Sequence, residues 1–264
     1  MKVIILTTSV YGTAGHHLPF ILRCPGVEVA AVVVSEGQIP AKKNYYRKKI
    51  TKLLSIGIGG AINGIRMRKW YSNAAKHVPI PNIEETCRQH NINFHRVPYT
   101  NSNETLEIFK QYGADVGLSL GNGYIAARIF ETPKYGMLNI HHEILPQYQN
   151  AQSIIWQLYN GSAETGYTIH KINRQIDKGE IMLQEKIPIL FKETLAETVA
   201  CNYAQLLEHS ARGLVKILSD FDNYYTHATV QKNGSHYTTP SIWQYFRILS
   251  RYNKLKKSRR QGGH

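Results

Sequence analysis

Cysteine is scarce in this chain: its three copies, Cys24, Cys87 and Cys201, are odd in number and far apart. The absence of any CxxC pair argues against a disulfide framework or a zinc knuckle and points to a reducing, cytoplasmic compartment. Long apolar runs are missing as well. The opening MKVIILTTSVYG has one lysine and an apolar run of only four residues. That is too short for a secretory core or a membrane span, so the segment reads as a first buried strand. The glycine-interrupted stretch ITKLLSIGIGGAINGI is not a span either; with its basic flanks it suggests an interfacial or inserted helix pair.

Acid is absent where base is densest. Residues 42–76 hold ten Lys or Arg and residues 247–264 hold seven, with no Asp or Glu in either segment. The formal net charge is +14, yet outside these segments 15 bases face 18 acids. The body is ordinary, and two segments are basic. They are suited to the phosphates of a donor or acceptor, or to peripheral contact with an anionic membrane.

What is present is an alternation of strands and helices. Val3–Leu6, Val27–Val34, Asn93–Val97, Asp115–Leu120, Met137–Ile140 and Tyr167–Ile172 read as strands, rich in β-branched residues and bounded by turn residues. Helical stretches fall between them at His17–Arg23, Ile83–His90 with Asn82 as N-cap, Asn103–Tyr112 and Gln152–Tyr159. This rhythm implies an α/β fold with a doubly wound, mostly parallel, Rossmann-like sheet over residues 1–190, interrupted by a basic insertion at about 42–76. After a strand at Ile181–Ile189, residues 191–264 form a smaller unit. Thr194-x-x-Glu197 makes a capping box for a long helix reaching about Leu218, Asn233-Gly234 signals a β-hairpin, and a basic tail follows.

The chemistry concentrates in GMLNIHHEILPQY, residues 136–148. Strand alternation puts Asn139, His141 and Glu143 on one face and Ile140, His142 and Ile144 on the other. Adjacent His141 and His142 therefore point apart and cannot easily chelate one ion, so no metal is expected. One reading is a strand end whose polar residues merely cap the sheet. The other is an oxyanion donor beside an acid–base imidazole. The next strand, GYTIHKI, runs into NRQIDKGE and is expected to bring Asp177 to the same sheet edge. There it can orient His141 and stabilise its charged form. Asn139, His141 and Asp177 then make a coherent device for moving an acyl group to an amine.

The stretch from Asp115 to Ile189 resembles the folate-dependent formyltransferase family. The family pattern Asn-x-His-x-x-Leu-Leu-Pro is matched by Asn139, His141, Ile144, Leu145 and Pro146. Its Gly-Asp-x-x-Thr-Gly-hydrophobic-Thr stretch is matched by Gly161, Thr165, Gly166 and Thr168, with Ser162 in place of Asp, and its Asp-x-Gly-x-Ile loop by Asp177, Gly179 and Ile181. The resemblance implies N10-formyltetrahydrofolate as co-substrate and Asn139, His141 and Asp177 as catalytic residues. It places the pterin between the loop SLGNGYIA and the loop Arg174–Gly179, with Gly123, Tyr124, Ile125, Ile176 and Asp177 as its binding residues.

Three departures narrow the acceptor. Glu143 replaces a frequent Ser, which would make the strand end more acidic. Gln147–Asn150 replaces the Arg-x-x-Gly that often follows the proline. VYGTAGHH replaces the Gly-Ser-Asn turn with which the purine enzyme grips phosphate. The chain after the sheet is also short for the barrel-like domain of a tRNA formyltransferase. A nucleotide-linked amino sugar is therefore the expected acceptor, in polysaccharide biosynthesis, with a homodimer as the expected assembly and tRNA not expected as a partner. A methionyl-tRNA or other small-amine formyltransferase, or a non-catalytic RNA- or lipid-binding relative, stays open as an alternative.

Overall fold

The first strand explains the sheet's position. KVIILT forms β1 (Lys2–Thr7), and its alternate residues enter two different cores. Val3 and Ile5 pack with Leu18, Tyr167 and Leu214, whereas Ile4 and Leu6 pack with Phe109 and Ile129. A strand buried on both faces needs helices on both sides, and a continuous apolar run supplies that burial. Each such side chain taken from water contributes about 1.5–3 kcal/mol. The molecule is described here by a computed structural model over residues 1–37 and 44–261. Lys42 and Lys43 of the basic insertion and the last three residues of the basic tail lie outside the described residues.

The sheet has seven strands in the order β3 (Asn93–Val97), β2 (Glu28–Ser35), β1, β4 (Val116–Ser119), β5 (Met137–His141), β6 (Glu164–Lys171) and β7 (Ile181–Pro188). Strands β1 to β5 run parallel, and β6 is antiparallel to both its neighbours. The doubly wound, mostly parallel sheet read from the sequence is the one observed. Its winding reverses between β1 and β4, where α/β sheets open a crevice at the strand ends. Helices α1 (Thr13–Leu22), α3 (Ile83–Gln89), α4 (Asn103–Tyr112), α5 (Ala127–Phe130) and α6 (Ile155–Asn160) cover the sheet between strands. Asn82 caps α3 by accepting from the amides of Glu84 and Glu85. Helix α7 (Leu195–Ser219) begins at Thr194, whose hydroxyl accepts from the Glu197 amide at 3.1 Å.

In the basic segment, α2 (Asn44–Ser72) is two helices joined at Gly57, whose φ of 70° breaks the helical path. The carboxyl-terminal part departs from the sequence reading. No hairpin forms at Asn233-Gly234: among the described residues, Thr229 bridges to Ile181 and His236 to Gln149, two separate elements. Neither turn residue adopts the positive φ that a two-residue hairpin requires. Gly234 serves close approach instead, since a Cβ there would lie 1.8 Å from the Pro146 carbonyl oxygen. The basic tail is likewise a helix, α9 (Ile242–Gln261), following the short α8 (Phe221–Thr226).

Candidate active site

Strand β5 ends at His141, and its last residues set the site. Asn139 pairs in register with Ser119 of β4 on one side and His170 of β6 on the other, and His141 pairs with Thr168. Alternation stops there. Thr168 Oγ1 donates to the Glu143 carbonyl and accepts from the Leu145 amide, turning the chain away from the sheet.

Asp177 reaches this place by a different route from the one the sequence suggested. Because β6 is antiparallel to β5, its carboxyl end lies beside the start of β5, with Lys171 opposite Leu138. The following loop therefore folds back over the sheet face instead of rising from a shared edge. Gly179 permits the fold, because a Cβ there would meet the Lys171 carbonyl oxygen at 1.6 Å. Asp177 itself sits at a φ of 55° and accepts from the Asn150 amide at 3.0 Å.

The result is a compact polar cluster. Asp177 Oδ2 is 4.0 Å from His141 Nε2, and Asp177 Oδ1 is 3.9 Å from His170 Nε2. The side chains of His141 and Asp177 keep 15% and 12% exposure, enough for a substrate to reach them. His141 Nε2 donates to the Tyr148 carbonyl at 3.1 Å, so the loop after Pro146 fixes the ring. Asn139 Nδ2 donates to His170 Nε2 at 3.2 Å, while His170 Nδ1 donates to the carbonyl of Lys171 at 2.8 Å. Burial pushes the His170 pKa down to about 4, which keeps the ring neutral and its Nε2 an acceptor. His170 thereby orients the Asn139 amide.

His170 was not singled out in the sequence, although the same alternation that aligned Asn139 with His141 sets Thr168 and His170 on one face of GYTIHKI. Tyr148 and Asn150 act through backbone groups, which no side-chain pattern announces. Glu143 corrects the reading of an acidic strand end. It is 1% exposed, accepts from the Gln157 amide, and burial holds its carboxyl well above the ordinary carboxylate range, which favours the uncharged form. His142 does point away, with Nε2 3.2 Å from Ser210 Oγ and its ring against Tyr203.

Asn139, His141 and Asp177 open onto a cleft of about 350 Å³. Gly123, Tyr124 and Ile125 line it, together with Asn173, Ile176 and Asp177 from the loop after β6. Tyr124 and Ile176 are each 54% exposed, whereas Ile125 is buried beneath. Asn122 also lines the cleft; its Nδ2 donates to the Leu6 carbonyl and to Ser119 Oγ, and its buried Oδ1 has no protein partner.

This fold is a mostly parallel α/β sheet with a polar cluster of Asn139, His141, His170 and Asp177 beside one cleft. Over residues 72–217, more than half its length, the chain matches the formyl transferase family, and it belongs to that family. A methionyl-tRNA formyltransferase of Trichodesmium erythraeum is 35% identical over 137 residues, 50% of this chain and 40% of the relative. A GDP-perosamine N-formyltransferase of Brucella melitensis is 33% identical over 108 residues, 40% of this chain and 41% of the relative. The chain thus spans less than half the length of these curated relatives. Among solved structures, a 4-N formyltransferase from Francisella tularensis has the same fold with a TM-score of 0.54 and 16% identity, covering 96% of this chain and 87% of the other. An N-formyltransferase from Helicobacter canadensis, solved with folinic acid and dTDP-3-aminofucose, gives 0.53 and 19%, covering 92% and 71%.

Proposed function

We propose that this protein transfers a formyl group from N10-formyltetrahydrofolate to the amine of a nucleotide-linked amino sugar. The observation that carries the reading is the convergence of Asn139, His141 and Asp177 on one cleft. The cleft's groups suit the co-substrate. Asn122 Oδ1 is a buried acceptor without a donor, and a ring edge bearing N–H groups would satisfy it. Gly123 leaves open space where a side chain would stand, and Tyr124 and Ile176 offer apolar surface to a flat ring. Gly123, Tyr124 and Ile125 would hold that ring from one side, Ile176 and Asp177 from the other. When bound, the folate supplies an activated formyl carbon.

The chain's own groups supply the rest. Asn139 Nδ2, held by neutral His170, has a second N–H free to donate to an oxyanion. His141 takes the proton that an attacking amine must lose and passes it to the leaving nitrogen. Asp177, 4.0 Å away, stabilises the imidazolium that forms between those steps. The amino-sugar acceptor is supported by the likeness to the Helicobacter N-formyltransferase solved with dTDP-3-aminofucose, which covers 92% of this chain, and to the GDP-perosamine N-formyltransferase of Brucella. The methionyl-tRNA relatives favour the second reading, a tRNA acceptor.

The test offers the protein N10-formyltetrahydrofolate with a panel of nucleotide-linked amino sugars and, separately, with methionyl-tRNA, following formylated product by mass. Product on a sugar and none on tRNA is the expected result. Product on tRNA alone would replace the acceptor, and no product on either would remove the reading.

A further inference from the structure

Among the described residues, twelve large hydrophobic side chains are exposed, and seven of them lie on α2 or at the start of α9. After the kink at Gly57, Ile58, Ile62 and Ile65 follow at i, i+4 and i+7 and share one helix face, at 73%, 62% and 56% exposure. Asn63, Met67 and Trp70 bury the opposite face. Before the kink, Ile50 and Leu54 repeat the spacing and are also exposed. On α9, Trp243 and Phe246 project one turn apart, at 79% and 55%. The two helices meet: a Cβ on Gly59 would lie 3.3 Å from Ile242, and the Arg66 guanidinium of α2 donates to the Tyr245 hydroxyl of α9. Apolar surface gathered in this way marks a contact site.

Charge identifies what covers it. Arg68 flanks the Ile58, Ile62 and Ile65 stripe and Lys69 extends it, while Arg66 is held by its bond to Tyr245; Arg247, Lys254 and Lys257 continue the exposed face of α9 that Trp243 and Phe246 open. No acid occurs in residues 42–76 or 247–264 to offset these cations. A second copy of this chain would set like charge against like. Nucleic acid would satisfy the bases but leave isoleucines and a leucine in water, since aliphatic side chains offer no stacking platform. An anionic bilayer satisfies both features, because apolar side chains enter the acyl boundary while cations meet the headgroups. No described helix is long and apolar enough to cross a membrane, so the contact is peripheral. We propose that α2 and the start of α9 form a docking face for an anionic membrane surface.

The test mixes the full chain with vesicles of phosphatidylcholine alone or with about 30% phosphatidylglycerol, at ~0.05 M salt where screening is weak. At least ~10-fold more protein should sediment with the anionic vesicles, and binding should fall at ~0.5 M salt. Trp243 emission should shift to the blue and be quenched by brominated lipid. Trp70 and Trp156 are buried, at 8% and 3% exposure, so Trp243→Phe should abolish the shift. Ile58→Asn with Ile62→Asn should cut vesicle binding at least ~10-fold at an unchanged circular-dichroism spectrum, since both side chains are exposed. Equal binding to the two lipids at low salt would overturn the proposal. So would anionic binding with Trp243 emission unmoved, which is charge attraction without insertion. A dimer by light scattering together with no vesicle binding would assign the face to self-association instead.

Discussion

At the scale of single residues, the site joins a partly exposed imidazole, His141, to a buried one, His170, whose burial lowers its pKa to about 4. His141→Ala and Asp177→Ala are each expected to lower kcat at least ~10²-fold while folate affinity, measured by fluorescence titration, stays nearly unchanged, because a positioned acid–base group contributes about 10²- to 10⁴-fold. Turnover surviving either change would remove the proton-transfer role. Glu143 makes the opposite case. Burial raises its carboxyl well above the ordinary range, and it touches Gln157, not the cleft. Glu143→Gln keeps its shape and removes only its tendency to ionise in the unfolded chain, so the variant should be fully active and unfold at a higher temperature at pH 7. A destabilised Glu143→Gln protein would show that a carboxylate charge is in use there after all. His142→Ala should spare the chemistry and cost stability, since the ring fills space against Tyr203 and bonds Ser210.

At the scale of elements, legibility followed the range of the forces involved. Helix α4 was readable to its ends, and the Thr194 cap was readable because the interaction spans three residues; Thr194→Ala should cost about 1 kcal/mol. In a chain of this size that is about 2–4 °C in Tm, measurable by calorimetry. The strand read at Met137–Ile140 is β5 less its last residue, and the alternation carried on to Ile144 fails beyond His141, because the turn that follows is dictated by Thr168 from another strand. The direction of β6 was not legible at all: parallel and antiparallel neighbours carry the same alternation, and only packing decides between them. Asn233-Gly234 failed for a related reason. A turn signal is a local preference, and contact with Pro146 overrode it. Gly234→Ala is therefore expected to act on the site. Pushing Pro146 displaces the loop whose Tyr148 carbonyl holds His141, so kcat should fall and stability drop by about 1–3 kcal/mol, as for other overpacked positions. Normal turnover in the Gly234→Ala variant would mean that the loop and segment 229–237 move independently.

At the scale of the whole molecule, the buried titratable groups set how stability depends on pH. Burial is the first cause in each: it lowers the pKa of His17 well below 6.5, that of His170 to about 4 and that of His142 to about 3. Above pH 6.5 these rings are neutral in both folded and unfolded chains, and their contribution is complete. As pH falls through 6.5 the unfolded chain takes up protons that the fold refuses. Stability is then lost until the folded values near 4 and 3 are passed. Glu143 works in the other direction. Its carboxyl, raised well above 4.5, keeps a proton that the unfolded chain has released, so it costs stability at neutral pH and returns it as pH falls toward 4.5. The three histidines act against the one carboxyl, so stability should fall as pH drops from 6.5 toward 4.5, by at most about 1.4 kcal/mol per pH unit for each proton of difference between unfolded and folded chains. Tm should therefore fall by several degrees per pH unit across that window. Glu143→Gln removes the one opposing group, so calorimetry at a series of pH values should find the variant more stable than the parent at pH 7 and its Tm falling more steeply with acid. Parallel curves for parent and variant would show that Glu143 exchanges no proton on unfolding, and a flat parent curve would show the same for the three histidines.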